Sequence, residues 1–389
     1  MKKPIRLPSA LYALFAMAAL LPLPAAQAHE DLRLKAWLEA QPASATAPFE
    51  LAQLQAQLGN LWQELGDAEH ARALFARSQS AAAQVQDAYV REVLIAHLAN
   101  ELASSGRFDE ALRQLDRVQD SELWVKGAWK LIGKLAKAQQ GKQAAELLAR
   151  TEARSRAVSA PLLRAELLSG TGAAYRYVDR ARGENLVYES YGMAQMLADP
   201  YERGLMLNEA GAHLVDIGHR ERAIEVFEAV DRLVAEIREP LQQAQVLAMV
   251  GGGQAEKNLR ERAVGALDKG RAIAERLPAG EAAWAVRSEI ARNYGQSHRF
   301  EPGIAVAEAI RDPYHRIEGF IRIAKNMART GQRDAAQVLL QRCEHEAASV
   351  SKPYLRATLL RKLASERIDA RQPDAAKALL RQAEAAIAA

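Results

Sequence analysis

The sequence predicts an all-α fold, a right-handed solenoid of about nine stacked helical hairpins. Three observations predict it. Amphipathic helical segments alternate with short breaks, helix-start signals return every 33 to 40 residues, and small residues recur at fixed distances after each start. No stretch shows the alternation that a half-buried strand would require. Periods of this length are typical of stacked helix pairs, in which each pair buries its apolar face against its neighbours.

The segment Pro313–Ala336 shows the repeating unit. It follows Asp312, and Asp before Pro is typical of a helix start, because the carboxylate caps free N–H groups and proline lacks only an N–H that would have no partner. Apolar residues then recur at helical spacing until Gly331, which suits the left-handed turn that follows a helix. Asp334 opens a second amphipathic helix. The unit is therefore predicted to be a helical hairpin.

The same unit is found nine times along the chain. Its predicted starts are Pro48, Ala88, Glu122, Pro161, Pro200, Pro240, Gly280, Pro313 and Pro353. Eleven residues after each start lies a small residue: Gly59, Ala99, Gly133, Gly172, Gly211, Gly251, Ala291, Ala324 or Ala364. Twenty-three residues after it lie Ala71, Ala111, Ala145, Glu184, Ala223, Ala263, Gly303, Ala336 and Ala376, of which only Glu184 is not small. One small residue in each helix allows the two helices to approach closely.

This spacing resembles the tetratricopeptide repeat (TPR). Gly59, Trp62, Ala71 and Phe75 illustrate the pattern: a small residue, an aromatic residue or leucine three later, alanine twelve later, and a bulky residue four beyond that. The resemblance extends from Pro48 to the end of the chain. Seven of the eight spacings depart from the usual period of 34, so the pitch of the family does not transfer. The resemblance implies that the first helices line a concave face that holds an extended peptide.

Residues 1–28 are predicted to be a cleaved secretory signal. Three basic residues precede the apolar run Leu11–Leu21, and Ala26–Ala28 forms a small-residue cleavage site. The run is too short for a comfortable membrane span, although an uncleaved anchor is the alternative. No cysteine near the cut is available for a lipoprotein anchor. The expectation is a soluble periplasmic protein without stable membrane insertion.

Residues 29–47 are predicted to hold a leading helix and a loop. The helix is expected over Asp31–Leu38, and the loop over Gln41–Pro48. The repeat array then covers residues 48–389 without an internal domain boundary. Gly251–Gly253 is interpreted as a place of close helix contact, with a bend as the alternative, since each glycine weakens a helix by about 1 kcal/mol relative to alanine.

The charge balance gives little support for nucleic-acid binding. The net charge is +4, and the predicted signal carries three basic and no acidic residues, so the mature chain has a net charge of +1 and no basic run. The single cysteine, Cys343, excludes an internal disulfide. It occupies an apolar slot and is interpreted as a buried residue, with an intermolecular thiol as the alternative.

The sequence contains no motif that favours catalysis, a metal or a cofactor. HExxH, CxxC and GxSxG are absent, and Gly170–Gly172 and Gly251–Gly253 coincide with the small slots and follow no strand. Cys343 to Glu346 offers metal-ligating residue types, but residues two apart on a helix point in different directions. A non-enzymatic protein is predicted. A catalytic site built across repeats stays open, because catalytic residues can be distant in sequence.

The best candidate contacts are at positions eight and twelve after the first three starts. Asn60, Asn100, Lys130 and Lys134 resemble the carboxylate clamp of chaperone-binding TPR domains. That resemblance implies that two asparagines and two basic residues hold the C-terminal carboxylate of a bound peptide. The sequence departs from the pattern at Ala56, where the family has a lysine.

Two further residues join this candidate site. Lys137 continues a basic stripe at helical spacing with the two lysines before it, which an acidic group could satisfy, although a solvated lysine face is the alternative. Tyr177 is expected to point into the groove.

Two features lie towards the end of the array. A second polar cluster on the concave face is predicted, either as a protein-binding wall or as a solvated surface, from Arg292, Lys325, Arg329 and Arg361 with Glu318 and Asp369 among them. The apolar stripe of the last helix, Lys377–Ala389, has no following helix to cover it, and solenoids normally close with a polar cap. The sequence therefore predicts that this helix frays, self-associates or binds a partner.

The sequence as a whole predicts a non-enzymatic periplasmic scaffold that holds a protein or peptide, such as an acidic C-terminus, in its concave groove. Envelope assembly, secretion and export machinery all use such proteins. Two alternatives from other classes stay open: an enzyme or enzyme subunit, and a purely structural oligomer.

Overall fold

The computed structural model describes residue 34 and residues 43–388. This part of the chain holds eighteen α-helices in nine consecutive pairs, one short 3-10 turn at Val234–Glu236, and no strand. The helices are α1 (Ala43–Glu64), α2 (Ala68–Gln84), α3 (Ala88–Ser104), α4 (Phe108–Leu115), α5 (Ser121–Lys137), α6 (Gly141–Ala157), α7 (Pro161–Tyr175), α8 (Arg180–Gln195), α9 (Pro200–Asp216), α10 (Arg220–Leu233), α11 (Pro240–Glu256), α12 (Arg260–Ala274), α13 (Glu281–Gln296), α14 (Phe300–Glu308), α15 (Pro313–Arg329), α16 (Arg333–Ala347), α17 (Pro353–Asp369) and α18 (Pro373–Ala388). The predicted all-α fold of nine helical hairpins is confirmed.

The first helices of most pairs begin at the predicted starts. Five of the predicted prolines are the first residues of α7, α9, α11, α15 and α17. Asp312 caps α15 by accepting a hydrogen bond from the N–H of His315, and Asp199 caps α9 by accepting from the N–H groups of Tyr201 and Glu202. The residue types that open a helix in isolation therefore open these helices in the folded chain.

The first helix begins earlier than predicted. It starts at Ala43, so residues 43–47, which were assigned to a loop, are helical and Pro48 lies inside α1. Alanine has the highest helix propensity, and three of these five residues are alanine, which offsets the one backbone hydrogen bond that proline removes. The predicted signal and the leading helix lie outside the described residues, apart from Leu34, which is buried.

Glycines at the predicted small slots lie where a larger side chain would collide with the partner helix. A Cβ on Gly59 would lie 3.1 Å from the Phe75 ring and 3.2 Å from the carbonyl oxygen of Ala71. A Cβ on Gly211 would lie 2.9 Å from the Phe227 ring. Ordinary carbon contacts are about 3.5 to 4.0 Å, so these positions require glycine for close packing.

The fourth pair corrects one slot. Gly172 packs against Gly183 and not against Glu184, since a Cβ on either glycine would lie 2.7 or 2.5 Å from the carbonyl oxygen of the other. The reason is local: α8 begins at Arg180, only 19 residues after Pro161, whereas the second helix begins 20 residues after the first in most other pairs. The apparent exception to the small-residue rule is an error of one residue in the alignment.

The third pair corrects another slot. Its first helix begins at Ser121, one residue before the predicted start, so Ala144 is fully buried in the slot that was assigned to Ala145. The equivalent position of α5 is held by the buried Ile132, and the neighbouring Gly133 is partly exposed.

The length of the second helix explains the variable period. The two short spacings of the array contain the two shortest second helices, α4 with 8 residues and α14 with 9. The described lengths of the second helices α8, α10 and α12 are 16, 14 and 15 residues. A period of 39 or 40 is therefore a 34-residue hairpin with one to two extra turns in its second helix.

The glycine triplet is a point of close contact on three sides. Gly251 faces Leu267 of α12, Gly252 faces Asn293 of α13, and Gly253 faces Asn208 of α9. Helix α11 continues through all three residues to Glu256. The helix is therefore uninterrupted at the triplet, and each glycine makes room for a different neighbour.

The described chain divides into two compact units. Unit 1 comprises residue 34, residues 43–154 and residues 352–388, and unit 2 comprises residues 155–351. Unit 2 has an apolar core that includes Met206, Phe227 and Val250, and the free thiol of Cys343 is fully buried within it. No helix in the described part of the chain is long and apolar enough to cross a membrane.

Unit 1 joins the last helix pair to the first. Helices α17 and α18 both contact α1. The hydroxyl of Tyr354 donates to Oε1 of Gln53 at 2.5 Å, and Glu384 accepts from Nε1 of Trp62 at 2.7 Å. The Nε2 atom of His70 lies 3.0 Å from the same carboxylate.

The last helix is therefore not left uncovered. Leu380 is fully buried and Leu379 is 7% exposed, which corrects the expectation of an uncovered apolar stripe and removes the reason for expecting self-association through α18. The sequence could not reveal this cover, because it comes from α1, which lies more than 300 residues away in the chain.

Candidate peptide-binding face

The candidate face lies in unit 1, where four first helices bring polar side chains together around one carboxylate. Asn60 comes from α1, Glu101 from α3, Lys130 and Lys134 from α5, and Arg361 from α17. We call these five residues the carboxylate cluster. Each lies between eight and thirteen residues after the predicted start of its helix, which places all five at neighbouring levels of their hairpins.

Glu101 is the centre of the cluster and the only acid in it. Burial raises the pKa of Glu101, while Arg361, Lys130 and Lys134 act in the opposite direction and stabilise its charged form. The Asn60 side chain acts the same way as a hydrogen-bonding group. The cluster therefore already accommodates a carboxylate with two kinds of partner, cations and a side-chain amide, which are the partners that a bound carboxylate needs.

Lys134 is a half-buried cation of the cluster. Burial lowers the pKa of Lys134, Glu101 counteracts this effect, and the neighbouring Lys137 and Lys130 lower the pKa further. Among the described residues, Lys134 makes no hydrogen bond and no ion pair within 4 Å. A partly desolvated ammonium group with like-charged neighbours gains from an additional anion.

His97 adds a neutral group beside the cluster. Burial lowers the pKa of His97 to about 3, and the positive charges of Lys130 and Arg361 act in the same direction. Its Nε2 atom lies 3.9 Å from Oε1 of Glu101. Because this imidazole is neutral over the physiological range, it adds no charge to the cluster.

The predicted residue Asn100 is placed differently. Its Nδ2 donates to the carbonyl oxygen of Ala96 in its own helix at 3.0 Å, and its Oδ1 is buried without a hydrogen-bond partner among the described residues. The neighbouring Glu101 occupies the centre instead. The structure thus brings together Asn60, Lys130 and Lys134 of the predicted clamp, and it assigns the donor group of Asn100 to the helix backbone.

The other two predicted contacts are exposed. Lys137 is an exposed residue at the end of α5, and it influences Lys134 electrostatically. Tyr177 belongs to unit 2, where it follows α7 and is 39% exposed. Its hydroxyl accepts a hydrogen bond from Nη2 of Arg176 at 2.7 Å. Tyr177 is therefore accessible for contact on unit 2.

Sequence reasoning missed Glu101 and placed Arg361 elsewhere. Arg361 was assigned to a cluster with Arg292, which belongs to unit 2, but α17 packs on α1 and brings the guanidinium into the carboxylate cluster. A signal was present: Arg361 lies eight residues after its start, as Lys130 does. Ala56 at the same position of α1 is fully buried, and Arg361 supplies a cation in the region where the resemblance leaves one missing.

Unit 2 has a second group of polar side chains, and these side chains form ion pairs and hydrogen bonds with one another or with the backbone. Asp216 forms ion pairs with Lys257 at 2.6 Å and with Arg176 at 3.0 Å. Nδ2 of Asn293 donates to the carbonyl oxygen of Ala248 at 2.9 Å, and Arg292 pairs with Glu289. These residues include three cations and two carboxylates, so their charges nearly cancel. Each of the three cations named here, Lys257, Arg176 and Arg292, has an ion-pair partner, whereas Lys134 has none among the described residues.

A metal centre finds no support in the described part of the chain. No group of three or more His, Cys, Asp or Glu side chains is arranged there to hold a metal ion.

Comparisons with known proteins identify similar folds only. The sequence matches no protein-family model and no curated protein. One similar structure is Ton1535 from Thermococcus onnurineus NA1, which has 13% identity and a TM-score of 0.35 over 69% of this chain and 98% of that chain. A putative kinesin light chain with nearly identical TPR-like repeats, from Podosopora anserina, has 18% identity and a TM-score of 0.35 over 50% of this chain and 100% of that chain.

A third similar structure is a Rap protein in complex with competence and sporulation factor. It has 13% identity and a TM-score of 0.35 over 87% of this chain and 98% of that chain. Scores and identities this low carry no argument about function. The described helix pairs themselves close around small residues such as Gly59 and Gly211, and in this they resemble TPR hairpins. The function must therefore be argued from the chain's own carboxylate cluster.

Proposed function

We propose that this protein is a non-enzymatic, exported TPR-like scaffold that holds the acidic C-terminus of a protein or peptide on unit 1. The observation that supports the proposal is the carboxylate cluster, in which Asn60, Lys130, Lys134 and Arg361 surround a single carboxylate. A C-terminal carboxylate has the same acceptor atoms and the same charge as the Glu101 side chain, so the same groups suit it.

Lys134 has the central role in this proposal. It is half-buried and has no hydrogen bond or ion pair within 4 Å in the described structure, so a ligand carboxylate would gain a charge-assisted contact there. Lys137 at the exposed end of the stripe would contact acidic side chains of the ligand. Contacts of this kind contribute about 1.5 to 3 kcal/mol each when partly buried, or roughly a 10- to 150-fold change in affinity.

The proposed location is the periplasm, and its support is the sequence of residues 1–28 with its charged start, apolar run and small-residue cleavage site. In that compartment the scaffold would serve envelope assembly, secretion or export. Fractionation of cells that express the full-length chain, with N-terminal sequencing of the product, tests this part of the proposal. A product that retains residues 1–28 in the cytoplasm would contradict it.

The binding proposal is tested with a defined probe. The probe is a mixture of fluorescein-labelled hexapeptides with random interior residues and a C-terminal glutamate, made both as free acids and as amides, and binding is measured by fluorescence anisotropy. The mature protein is expected to bind the free acids more tightly than the amides. Lys134→Met should weaken binding of the free acids by about 10-fold or more.

A matched control removes the same charge elsewhere. Lys142 is exposed on α6 and makes no hydrogen bond or ion pair in the described structure, so Lys142→Met should leave the affinity unchanged. Equal weakening by both variants would show that only net charge matters. Absence of any preference for free acids would show that the cluster does not recognise a carboxylate terminus.

A further inference from the structure

Glu101 occupies the position in the carboxylate cluster that a ligand carboxylate would take. Groups from the four helices of the cluster face it: Asn60 of α1, His97 of its own helix α3, the two lysines of α5, and Arg361 of α17. Its side chain is only 17% exposed. The cations on which the proposed function rests therefore already act electrostatically on an anion of the chain itself.

We infer that Glu101 is an internal counter-ion that competes with the ligand, and that a ligand carboxylate binds by displacing it from Asn60, Lys130, Lys134 and Arg361. This inference rests on the proposed function and adds a regulatory residue to the same site. Glu101 lowers the affinity for the ligand, because it neutralises the cluster in the free protein and must be exchanged for the ligand carboxylate.

Three features of the site make displacement feasible. The Asn60 side chain is the hydrogen-bonding group that acts on Glu101, and the approach of His97 Nε2 to its carboxylate is long, at 3.9 Å, so few short contacts hold this side chain in place. It lies on a flexible side chain at the partly exposed edge of α3. A C-terminal carboxylate brings backbone groups as well, which gives a ligand contacts that Glu101 lacks.

The electrostatics of the cluster add a dependence on pH. Burial raises the pKa of Glu101, so it takes up a proton at a higher pH than a ligand's terminal carboxyl, whose ordinary pKa is about 3.3 to 3.7. A protonated Glu101 no longer competes for the cations. The lysines and Arg361 keep their charge at mildly acidic pH, and His97, with a pKa of about 3, stays neutral. Affinity for a free-acid ligand should therefore rise as the pH falls towards the pKa of Glu101, which lies above the ordinary glutamate value of 4.5.

The test uses Glu101→Gln in the full mature chain with the same hexapeptide probe. The glutamine keeps the size of the side chain and removes its charge, so the free acids should bind about tenfold more tightly than to the wild type. Binding of the amides should change much less. The matched control is Glu146→Gln, which removes an exposed charge on α6 that has no hydrogen bond or ion pair in the described structure, and it should match the wild type.

The outcomes separate the inference from the proposed function. If the wild type binds free acids and Glu101→Gln binds them no more tightly, the inference is overturned and the proposed function stands. If neither protein prefers free acids to amides, the proposed function fails, and the inference fails with it.

A second measurement covers the case in which Glu101→Gln does not fold, as judged by circular dichroism. Binding of the free acids to the wild type is then measured between about pH 8 and pH 4.5, because the pKa of Glu101 lies above the ordinary glutamate value of 4.5. An affinity that rises towards the lower pH supports the exchange of Glu101 for the ligand. An affinity that is flat or falls overturns it, because no competing carboxylate is then being neutralised.

Discussion

Replacing Gly183 with alanine should destabilise the protein, although the same replacement at Gly192 in the same helix should stabilise it. A Cβ on Gly183 would lie 2.5 Å from the carbonyl oxygen of Gly172 and 2.9 Å from Cβ of Tyr175. A Cβ on Gly192 would meet nothing within 4 Å. The two variants therefore share one chemical change and one helix, α8, and differ only in what the added methyl group meets.

The magnitude follows from these distances. The obstacle at Gly183 is backbone, so it cannot move as a side chain would, and α7 and α8 must separate by about 1 Å to restore a normal contact. Overpacking of this kind lowers the free energy of unfolding by about 1 to 3 kcal/mol, and we take the upper end because the added methyl group meets a backbone carbonyl. Alanine in place of glycine in a helix gains about 1 kcal/mol. Gly183→Ala should thus lose about 2 kcal/mol, whereas Gly192→Ala should gain about 0.5 to 1 kcal/mol.

The assay is urea denaturation of both variants and the wild type in parallel, followed by far-UV circular dichroism. The midpoint of Gly183→Ala should lie below that of the wild type, and the midpoint of Gly192→Ala above it. If Gly183→Ala is as stable as Gly192→Ala, the close approach of α7 and α8 at this glycine pair is not required, and the interpretation of the small slots as close-contact positions is wrong.

Two further predictions concern unit 1. Burial raises the pKa of Glu50 to about 7, against the opposing effect of Lys352, so the folded protein binds a proton more tightly than the unfolded chain and loses stability as the pH rises from about 4.5 to 7. Glu50→Gln should remove this loss. Its free energy of unfolding, measured by urea denaturation, should exceed that of the wild type by an amount that grows from near pH 5 to near pH 8, up to about 3 kcal/mol. A difference that does not depend on pH would contradict the prediction. Trp62→Phe keeps an aromatic ring but removes the N–H that donates to Glu384. It should lower the free energy of unfolding by about 1 to 2 kcal/mol and speed amide hydrogen exchange in α18. Unchanged exchange in α18 would show that this contact does not hold the last helix.

The helix pairs could be predicted because their signals are local. Asp312 and Pro313 start a helix by capping and by fixed backbone geometry, and both effects act within one turn. The predictions failed where a local signal was shifted by one residue, as at Gly183, because a period cannot show that α8 begins one residue early. They also failed at Ala43, where helix propensity outweighed the single proline at position 48.

The candidate site could be predicted only in the part that follows the repeat. Asn60, Lys130 and Lys134 lie at positions that the period places on one face. Glu101 was missed because it lies one residue beyond the positions considered, next to Asn100. Arg361 was assigned to the wrong cluster because the contact of α17 with α1 joins distant parts of the chain, and no local pattern encodes such a contact.

The contact of the last helix pair with the first also has a consequence for the order in which the chain folds. Synthesis proceeds from the N-terminus, so the helices of residues 43–154 emerge early, but their partners in residues 352–388 emerge last. Unit 2, which is continuous in sequence, has all of its helices available before then. Unit 1 must also close a loop of about 300 residues, which adds a loop-closure cost that unit 2 does not bear. During synthesis, the nascent chain should therefore carry a folded middle before the face that holds Lys134 receives its final helices.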